Sequence, residues 1–170
     1  MVESLSRQLP DPAATAQFGA LLASVLLDAA PARLVLYFEG ELGAGKTALI
    51  RSMLAGLGYT GRVPSPTYTL VEPYLVDSYR VLHVDLYRLR DPAELEYLGL
   101  ADELGPIDAL GRGSLLLAEW PSRGAGRMPP ADLECHLAIE GTGRQVRLAA
   151  LSTAGSRVIR KLGQALPAGF

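Results

Sequence analysis

The chain of 170 residues has a single cysteine, Cys135, and no asparagine. One cysteine cannot form a disulfide within the chain, nor a metal site built from several thiolates. Cys135 stands in an alternating apolar pattern, which predicts a buried strand position. The lack of asparagine disfavours a GTPase, because the usual guanine-reading motif requires that residue.

Lysine is also scarce, since only Lys46 and Lys161 are lysines among the 16 basic residues. With 18 acidic residues the formal net charge is −2, which provides no general electrostatic footprint for nucleic acid. A role with RNA would therefore need a local basic patch or a partner protein.

No basic segment followed by an apolar run begins the chain, so we expect no signal peptide. The apolar stretches are far shorter than the roughly 20 residues of a membrane span, which predicts a cytoplasmic protein. At 49% hydrophobic and 20% charged residues, residues 1–170 fit one folded domain. This length disfavours a helicase or a large remodelling ATPase.

The chain contains one complete phosphate-binding loop motif, Gly40-Glu41-Leu42-Gly43-Ala44-Gly45-Lys46-Thr47. Its glycines let backbone N–H groups point at phosphate oxygens, the lysine supplies a positive charge, and the Thr47 hydroxyl is placed to ligate Mg²⁺. An apolar run, Arg33–Glu39, precedes the loop as a strand would, and helical spacing follows from Ala48. We therefore expect residues 40–48 to bind a nucleotide.

The order of the remaining elements predicts an α/β protein. The apolar patterns indicate further strands over Leu5–Leu9, Tyr68–Leu75, Arg80–Leu86, Ser114–Glu119, Leu133–Ile139 and Arg144–Leu151. A βαβ start followed by hairpins favours a mixed sheet over a purely parallel one. We expect a three-layer fold like that of P-loop NTPases, with a mixed, mostly parallel central sheet.

Two carboxylates follow apolar strands and are candidates for catalysis. Glu119 ends one strand, and in phosphate-loop enzymes such an acid serves the Mg²⁺ sphere directly or through water. Asp85 ends another and would orient or deprotonate an attacking water; the alternative is an ion pair with Arg88 or Arg90. His83 shares a strand face with Asp85 and is expected to be a hydrogen-bonded structural residue.

Trp120 and Thr67 are less specific candidates. Trp120, the only tryptophan, would stack on a base or a partner, or pack against the domain surface. Thr67 lies in a proline-stiffened turn after the loop helix, where a hydroxyl would sense a γ-phosphate or Mg²⁺. An ordinary loop fits that turn as well.

These motifs, in this order and spacing, resemble the TsaE family, also called YjeE, and the likeness covers nearly the whole chain. The segments that carry it are residues 40–47, 65–72, 83–89, 94–99 and 119–121, with Leu-Pro-Asp at 9–11, Thr15 and Gly143-Arg144. The resemblance implies a small bacterial ATPase that is needed for threonylcarbamoyladenosine formation at position 37 of tRNA.

The resemblance also implies roles for individual residues. Lys46 would contact phosphates, Thr47 and Glu119 would serve Mg²⁺, and Asp85 would be the catalytic acid. Thr67 matches a switch-like position and Trp120 a tryptophan important for activity. The residues expected to flank the adenine are Asp11, Pro12, Thr15 and Arg144. Ala48 departs from the threonine often found there.

The implied cofactors are ATP and Mg²⁺, and the implied partner is the TsaB–TsaD complex, with tRNA contacted indirectly or weakly. Two other functions stay open on sequence. A small-molecule kinase would use Arg112, Arg123 and Arg127 as a lid, and a nucleotide-gated binding module would have no meaningful turnover. No clear arginine finger appears in the motifs, so a partner would complete the site.

Overall fold

The computed structural model describes residues 2–168. They form seven strands and four α-helices, with 3₁₀-helices over Pro92–Leu98 and Pro121–Gly124. The strands are β1 (Ser4–Leu9), β2 (Arg33–Glu39), β3 (Val71–Leu75), β4 (Tyr79–Asp85), β5 (Gly113–Glu119), β6 (Leu133–Glu140) and β7 (Gly143–Ala150). The α-helices are α1 (Pro12–Ala29), α2 (Lys46–Gly56), α3 (Leu100–Glu103) and α4 (Thr153–Ala165).

The strands form one sheet in the order β1-β7-β6-β2-β5-β4-β3. The four central strands, from β6 to β4, pair in parallel, and antiparallel pairs flank them. Only β7 and β3 therefore run against the common direction among the described strands. The expectation of a mixed, mostly parallel sheet is confirmed.

Helices cover both faces of the sheet, which gives the three layers expected from the sequence. On one face α1, α2 and α4 pack over a large cluster that includes Phe18, Phe38 and Leu49. On the other face a smaller cluster places Leu95 and Leu100 of the short helices against the sheet. All seven residues of β5 are buried, so this strand lies at the centre of the core. Cys135 is also fully buried, as its alternating context predicted.

The strand predicted over Tyr68–Leu75 is wrong in its first half. Residues 66–70 form a turn, and the strand begins at Val71. Leu70 adopts a left-handed backbone with φ of 64°, which no strand accommodates. Its N–H donates to the carbonyl of Pro66, so a local turn takes the hydrogen bond that a strand would have made.

Helix α1 is longer and more apolar than we expected from the sequence. Over its 18 residues the mean hydropathy is 1.2, so by length and composition it is sufficient to cross a membrane. This corrects the expectation that every apolar stretch is far shorter than a span. Phe18, Leu22 and Leu26 are fully buried and the helix contacts α2 and α4, as core helices of folded domains do.

The close approach of α1 to α2 depends on a glycine. A Cβ built on Gly19 would lie 2.4 Å from the Cβ of Ser52 and 3.1 Å from the backbone oxygen of Leu49. Both of these residues belong to α2, the helix that begins at Lys46 of the phosphate-binding loop. The absence of a side chain at Gly19 therefore helps to set where α2 lies.

We predict that Gly19→Ala destabilises the fold by about 1–3 kcal/mol, because the added methyl group overpacks a rigid helix contact. Gly163→Ala is the matched control, since Gly163 is exposed in α4 and its nearest Cβ neighbour lies 3.9 Å away. That change should stabilise the protein by up to about 1 kcal/mol, because alanine favours helix over glycine. Denaturant unfolding measures both, and equal effects would contradict the packing argument.

Candidate active site

The phosphate-binding loop connects the end of β2 to the start of α2. Gly43 and Gly45 adopt positive φ values of 81° and 100°, which side-chain-bearing residues rarely accept. Gly40 lies against β6, because a Cβ there would come 2.4 Å from the carbonyl oxygen of Leu137. Gly45 precedes the first turn of α2, so the unpaired N–H groups of that turn and the positive end of the helix dipole face the loop.

Lys46 is turned back onto its own loop. Its Nζ donates to the carbonyl oxygens of Gly40 at 2.6 Å and Glu41 at 3.0 Å, and it lies 4.2 Å from the ring centroid of Trp120. The residue is only 5% exposed. The ammonium group therefore has its charge satisfied by carbonyl dipoles and an aromatic face.

Thr47, Glu119 and His83 form a chain of hydrogen bonds. The Thr47 hydroxyl donates to the Glu119 carboxylate, at 2.8 Å from Oε1 and 3.0 Å from Oε2. On the far side, His83 Nε2 lies 2.6 Å from Glu119 Oε2. The sequence analysis predicted that His83 is hydrogen-bonded, but it did not identify the partner. Because β4 and β5 are parallel neighbours, His83 and Glu119 come from adjacent strands of the sheet.

Asp85 and Thr67 lie in the same pocket as the loop, a space of about 470 Å³. Asp85 Oδ1 accepts from the backbone N–H of Tyr87 at 2.9 Å, and Thr67 Oγ1 is 3.4 Å from Asp85 Oδ2. Within residues 2–168, Asp85 forms no ion pair. Arg88, the alternative partner considered from sequence, instead places its guanidinium 4.5 Å from the ring of Tyr68.

Trp120 follows Glu119 with a left-handed backbone, φ 56° and ψ 45°. A bulky residue in this region is strained, at a cost on the order of 1–3 kcal/mol. The ring contacts Tyr87 at 5.0 Å between centroids, and Arg123 lies 5.6 Å above it. Strain of this kind is retained where the surroundings fix it, and here the ring covers Lys46.

The residues expected near adenine line a second pocket of about 170 Å³, where α1, α2 and β7 begin. They are Asp11, Pro12, Thr15 and Arg144, and Ala48 of the loop lines the same pocket. This pocket adjoins the loop, because Gly45 and Ala48 line both spaces. These positions lie together in the fold, and their contact with a base stays a prediction.

Two of these residues also have structural duties. Asp11 caps α1, with Oδ1 accepting from the N–H of Ala14 at 2.8 Å. Arg144 donates from Nε to the carbonyl oxygen of Ala44 at 2.9 Å and from Nη2 to that of Gly43 at 3.1 Å. Arg144 therefore holds the loop from outside, by bonding to two of its carbonyls.

The donor chemistry fits a magnesium ion. Within the described part of the chain no three His, Cys, Asp or Glu side chains converge as metal ligands. The Thr47 hydroxyl and the Glu119 carboxylate are hard oxygen donors, which Mg²⁺ prefers, and this ion usually keeps several waters and binds substrate phosphates. Thr47 can donate its proton to Glu119 while a lone pair of its oxygen stays available to a cation.

Burial perturbs the charged groups of the pocket. It lowers the pKa of Lys46 below its usual 10.5, although the negative charges of Glu119 and Asp85 oppose that change. It raises the pKa of Asp85 above its usual 3.8, against the hydrogen bond from the N–H of Tyr87, and the charge of Glu119 adds to the increase. Perturbed carboxyls in a cleft are characteristic of functional sites.

A model of the family described as threonylcarbamoyl adenosine biosynthesis protein TsaE matches residues 9–147. The chain belongs to the TsaE family. Its relatives include the tRNA threonylcarbamoyladenosine biosynthesis protein TsaE of Haemophilus influenzae, 39% identical over 159 residues that make up 93% of this chain and 97% of that protein. The protein of the same name from Synechocystis is 39% identical over 115 residues, 68% of this chain and 69% of the relative.

A solved structure shares the fold. The crystal structure of Bacillus subtilis YdiB aligns with a TM-score of 0.70 at 24% identity, over 96% of this chain and 97% of that one. The resemblance to TsaE and the predicted α/β P-loop fold are therefore both confirmed. The family is named for a role in threonylcarbamoyladenosine biosynthesis.

We predict that Asp85→Asn makes the protein more stable at neutral pH. Because the folded-state pKa of Asp85 is raised, the folded state binds this proton more readily than the unfolded state does. Stability is therefore lost as the pH rises from the unfolded value through the folded pKa. Asparagine removes the buried charge and can still accept from the N–H of Tyr87.

The advantage of Asp85→Asn should shrink as the pH falls toward and below 3.8, the ordinary pKa of an aspartate, because the wild-type carboxyl then binds its proton. Urea unfolding at several pH values measures this difference. The control is Asp77→Asn, at an exposed turn position. A stability difference for Asp85→Asn that stays constant with pH would refute the argument.

Proposed function

We propose that the protein binds and hydrolyses ATP with Mg²⁺, and that this hydrolysis supports threonylcarbamoyladenosine formation on tRNA. The observation that carries the proposal is the hydrogen bond from Thr47 to Glu119, at 2.8 Å. It joins the first turn of the loop helix to a buried acid on the neighbouring strand. Family membership supports the biological role, because the relatives are named for it.

Each charged group of the pocket has a chemical task in this proposal. Lys46 exchanges the carbonyls of Gly40 and Glu41 for phosphate oxygens, at little cost because both partners are oxygen acceptors. Thr47 and Glu119 would hold Mg²⁺, which would neutralise the negative charge that develops on the phosphate oxygens. Asp85 orients the attacking water, and its raised pKa suits a group that accepts a proton.

The pocket lined by Asp11, Thr15 and Arg144 takes the adenosine part of ATP in this proposal. It begins where the loop ends, so a nucleotide whose phosphates lie on the loop extends into it. Arg144 then serves the nucleotide in two ways. It lines the pocket for the adenosine part, and its guanidinium holds the carbonyls of the loop on which the phosphates lie.

The proposed partner is the TsaB–TsaD complex, and the proposed location is the cytoplasm. Basal turnover is slow in this proposal, because no clear arginine finger appears in the sequence motifs and the partner completes the site. With a net charge of −2, contact with tRNA is indirect or weak.

The rival kinase proposal loses two of its three lid residues. Arg112 Nε donates to Asp108 Oδ2 at 2.8 Å, and Arg127 pairs with Glu96. Only Arg123 stacks near Trp120. No observation in the described residues favours a small-molecule acceptor over water.

We expect ATP with Mg²⁺ to stabilise the protein by about 2.7 kcal/mol at a hundredfold excess over its dissociation constant. For a domain of this size that corresponds to a rise in melting temperature of about 5–10 °C. Lys46→Ala should remove most of the rise, because it deletes the phosphate-binding charge. Lys161→Ala, which changes the only other lysine, a half-buried residue of α4 that pairs with Asp28, should keep it. Equal shifts for the two variants would contradict the role of Lys46.

Adding the TsaB–TsaD complex should raise the rate of ATP hydrolysis by about tenfold or more, as partner completion of a P-loop site does. The Asp85→Asn protein is the control and should stay inactive with and without the complex. Phosphate release measures the rates. The same wild-type rate in the presence and absence of the complex would argue against partner completion and leave ATP hydrolysis itself unaffected.

A further inference from the structure

His83 is the one histidine that contacts the candidate site, and its surroundings are unusual for a structural residue. Its side chain is fully buried, and Nε2 lies 2.6 Å from Glu119 Oε2. The second ring nitrogen, Nδ1, is buried without a hydrogen-bond partner. Buried polar atoms are rarely left unsatisfied, and those that are need an explanation.

The hydrogen bond to Glu119 settles the arrangement of the imidazole. An ionised carboxylate only accepts hydrogen bonds, so Nε2 carries the proton and donates it to Oε2. An unprotonated Nδ1 leaves a lone pair unsatisfied, which is less costly than a buried unpaired N–H. A purely structural position would be filled better by an apolar side chain, which has no such atom.

Glu119 receives a donor on each side, Thr47 from α2 and His83 from β4. The carboxylate is only 2% exposed, so its orientation depends on these two donors and on Lys46 nearby. Removing the histidine donor would leave Oε2 with the Thr47 hydroxyl alone and free the carboxylate to rotate. Loss of this donor would therefore weaken the binding of a ligand that Thr47 and Glu119 hold together.

We propose that His83 is a positioning residue for the magnesium site, which holds the Glu119 carboxylate in the orientation that Mg²⁺ requires. This inference rests on the proposed function and goes beyond it, because it assigns a role to a residue that does not touch the nucleotide. Hydrogen-bond partners of metal-binding carboxylates tune metal affinity, typically by 10–100-fold when they are removed.

The test compares His83→Phe, which keeps a ring of similar shape but has no donor, with His83→Gln, whose amide reaches as far as Nε2. His136→Gln is the matched control, since His136 is the only other histidine and lies half exposed on β6. The measured quantity is the Mg²⁺ concentration that half-saturates the ADP complex, followed by the fluorescence of Trp120. The chain has no other tryptophan, and this one lies beside Lys46.

We expect His83→Phe to raise that Mg²⁺ concentration by about 10–100-fold and to leave the affinity for ADP in EDTA unchanged. His83→Gln should restore most of the metal affinity, and His136→Gln should match the wild type. Thermal unfolding checks that each variant folds. If His83→Phe does not fold, His83→Asn takes its place, because its shorter amide cannot reach Glu119.

Three results would overturn the assignment. The first is an unchanged Mg²⁺ requirement in His83→Phe, and the second is an equal fall in metal-free ADP affinity, which would indicate general damage. The third is a glutamine variant as defective as the phenylalanine one. A wild-type protein that binds Mg²⁺ with ADP but hydrolyses no ATP would contradict the proposed function alone and leave the role of His83 intact.

Discussion

The Glu119 carboxylate is the group on which the geometry of the pocket depends. It ends β5, a strand buried along its whole length, and an ionised group there must be fully compensated because the surrounding medium has a low dielectric constant. The compensation comes from Thr47 on α2 and His83 on β4. Three elements are thereby fixed relative to one another at the carboxyl edge of the sheet, where open α/β sheets bind ligands.

The same edge accumulates features that work against stability. Asp85 is buried with a raised pKa and Lys46 with a lowered one, and His83 keeps an unsatisfied nitrogen. Trp120 has a strained backbone. Proteins depart from favourable local structure mainly where function requires it. Among the described residues, the rest of the sheet has no comparable concentration of buried charged groups. On one face of the sheet the core is a single apolar cluster, which includes Phe18 and Leu162.

Sequence reasoning succeeded where local spacing determines position. The apolar run that ends at Glu119 and the alternation that ends at Asp85 place these two side chains through the period of a strand. It failed where a side chain chooses between partners that the chain order does not reveal. Nothing in the sequence indicates that Lys46 turns to the carbonyls of Gly40 and Glu41, or that Arg88 stacks on Tyr68 instead of pairing with Asp85.

The hydrogen bonds of Arg144 affect the order in which native contacts form during synthesis of the chain. Its guanidinium bonds to the carbonyls of Gly43 and Ala44, about 100 positions earlier in the chain. The β6–β7 hairpin must therefore emerge from the ribosome and join the sheet before the loop has all its native bonds. A nascent chain that has made the glycine-rich loop, α2 and even β5 still lacks this clamp. The loop thus has its full set of hydrogen bonds only in a polypeptide that extends through β7.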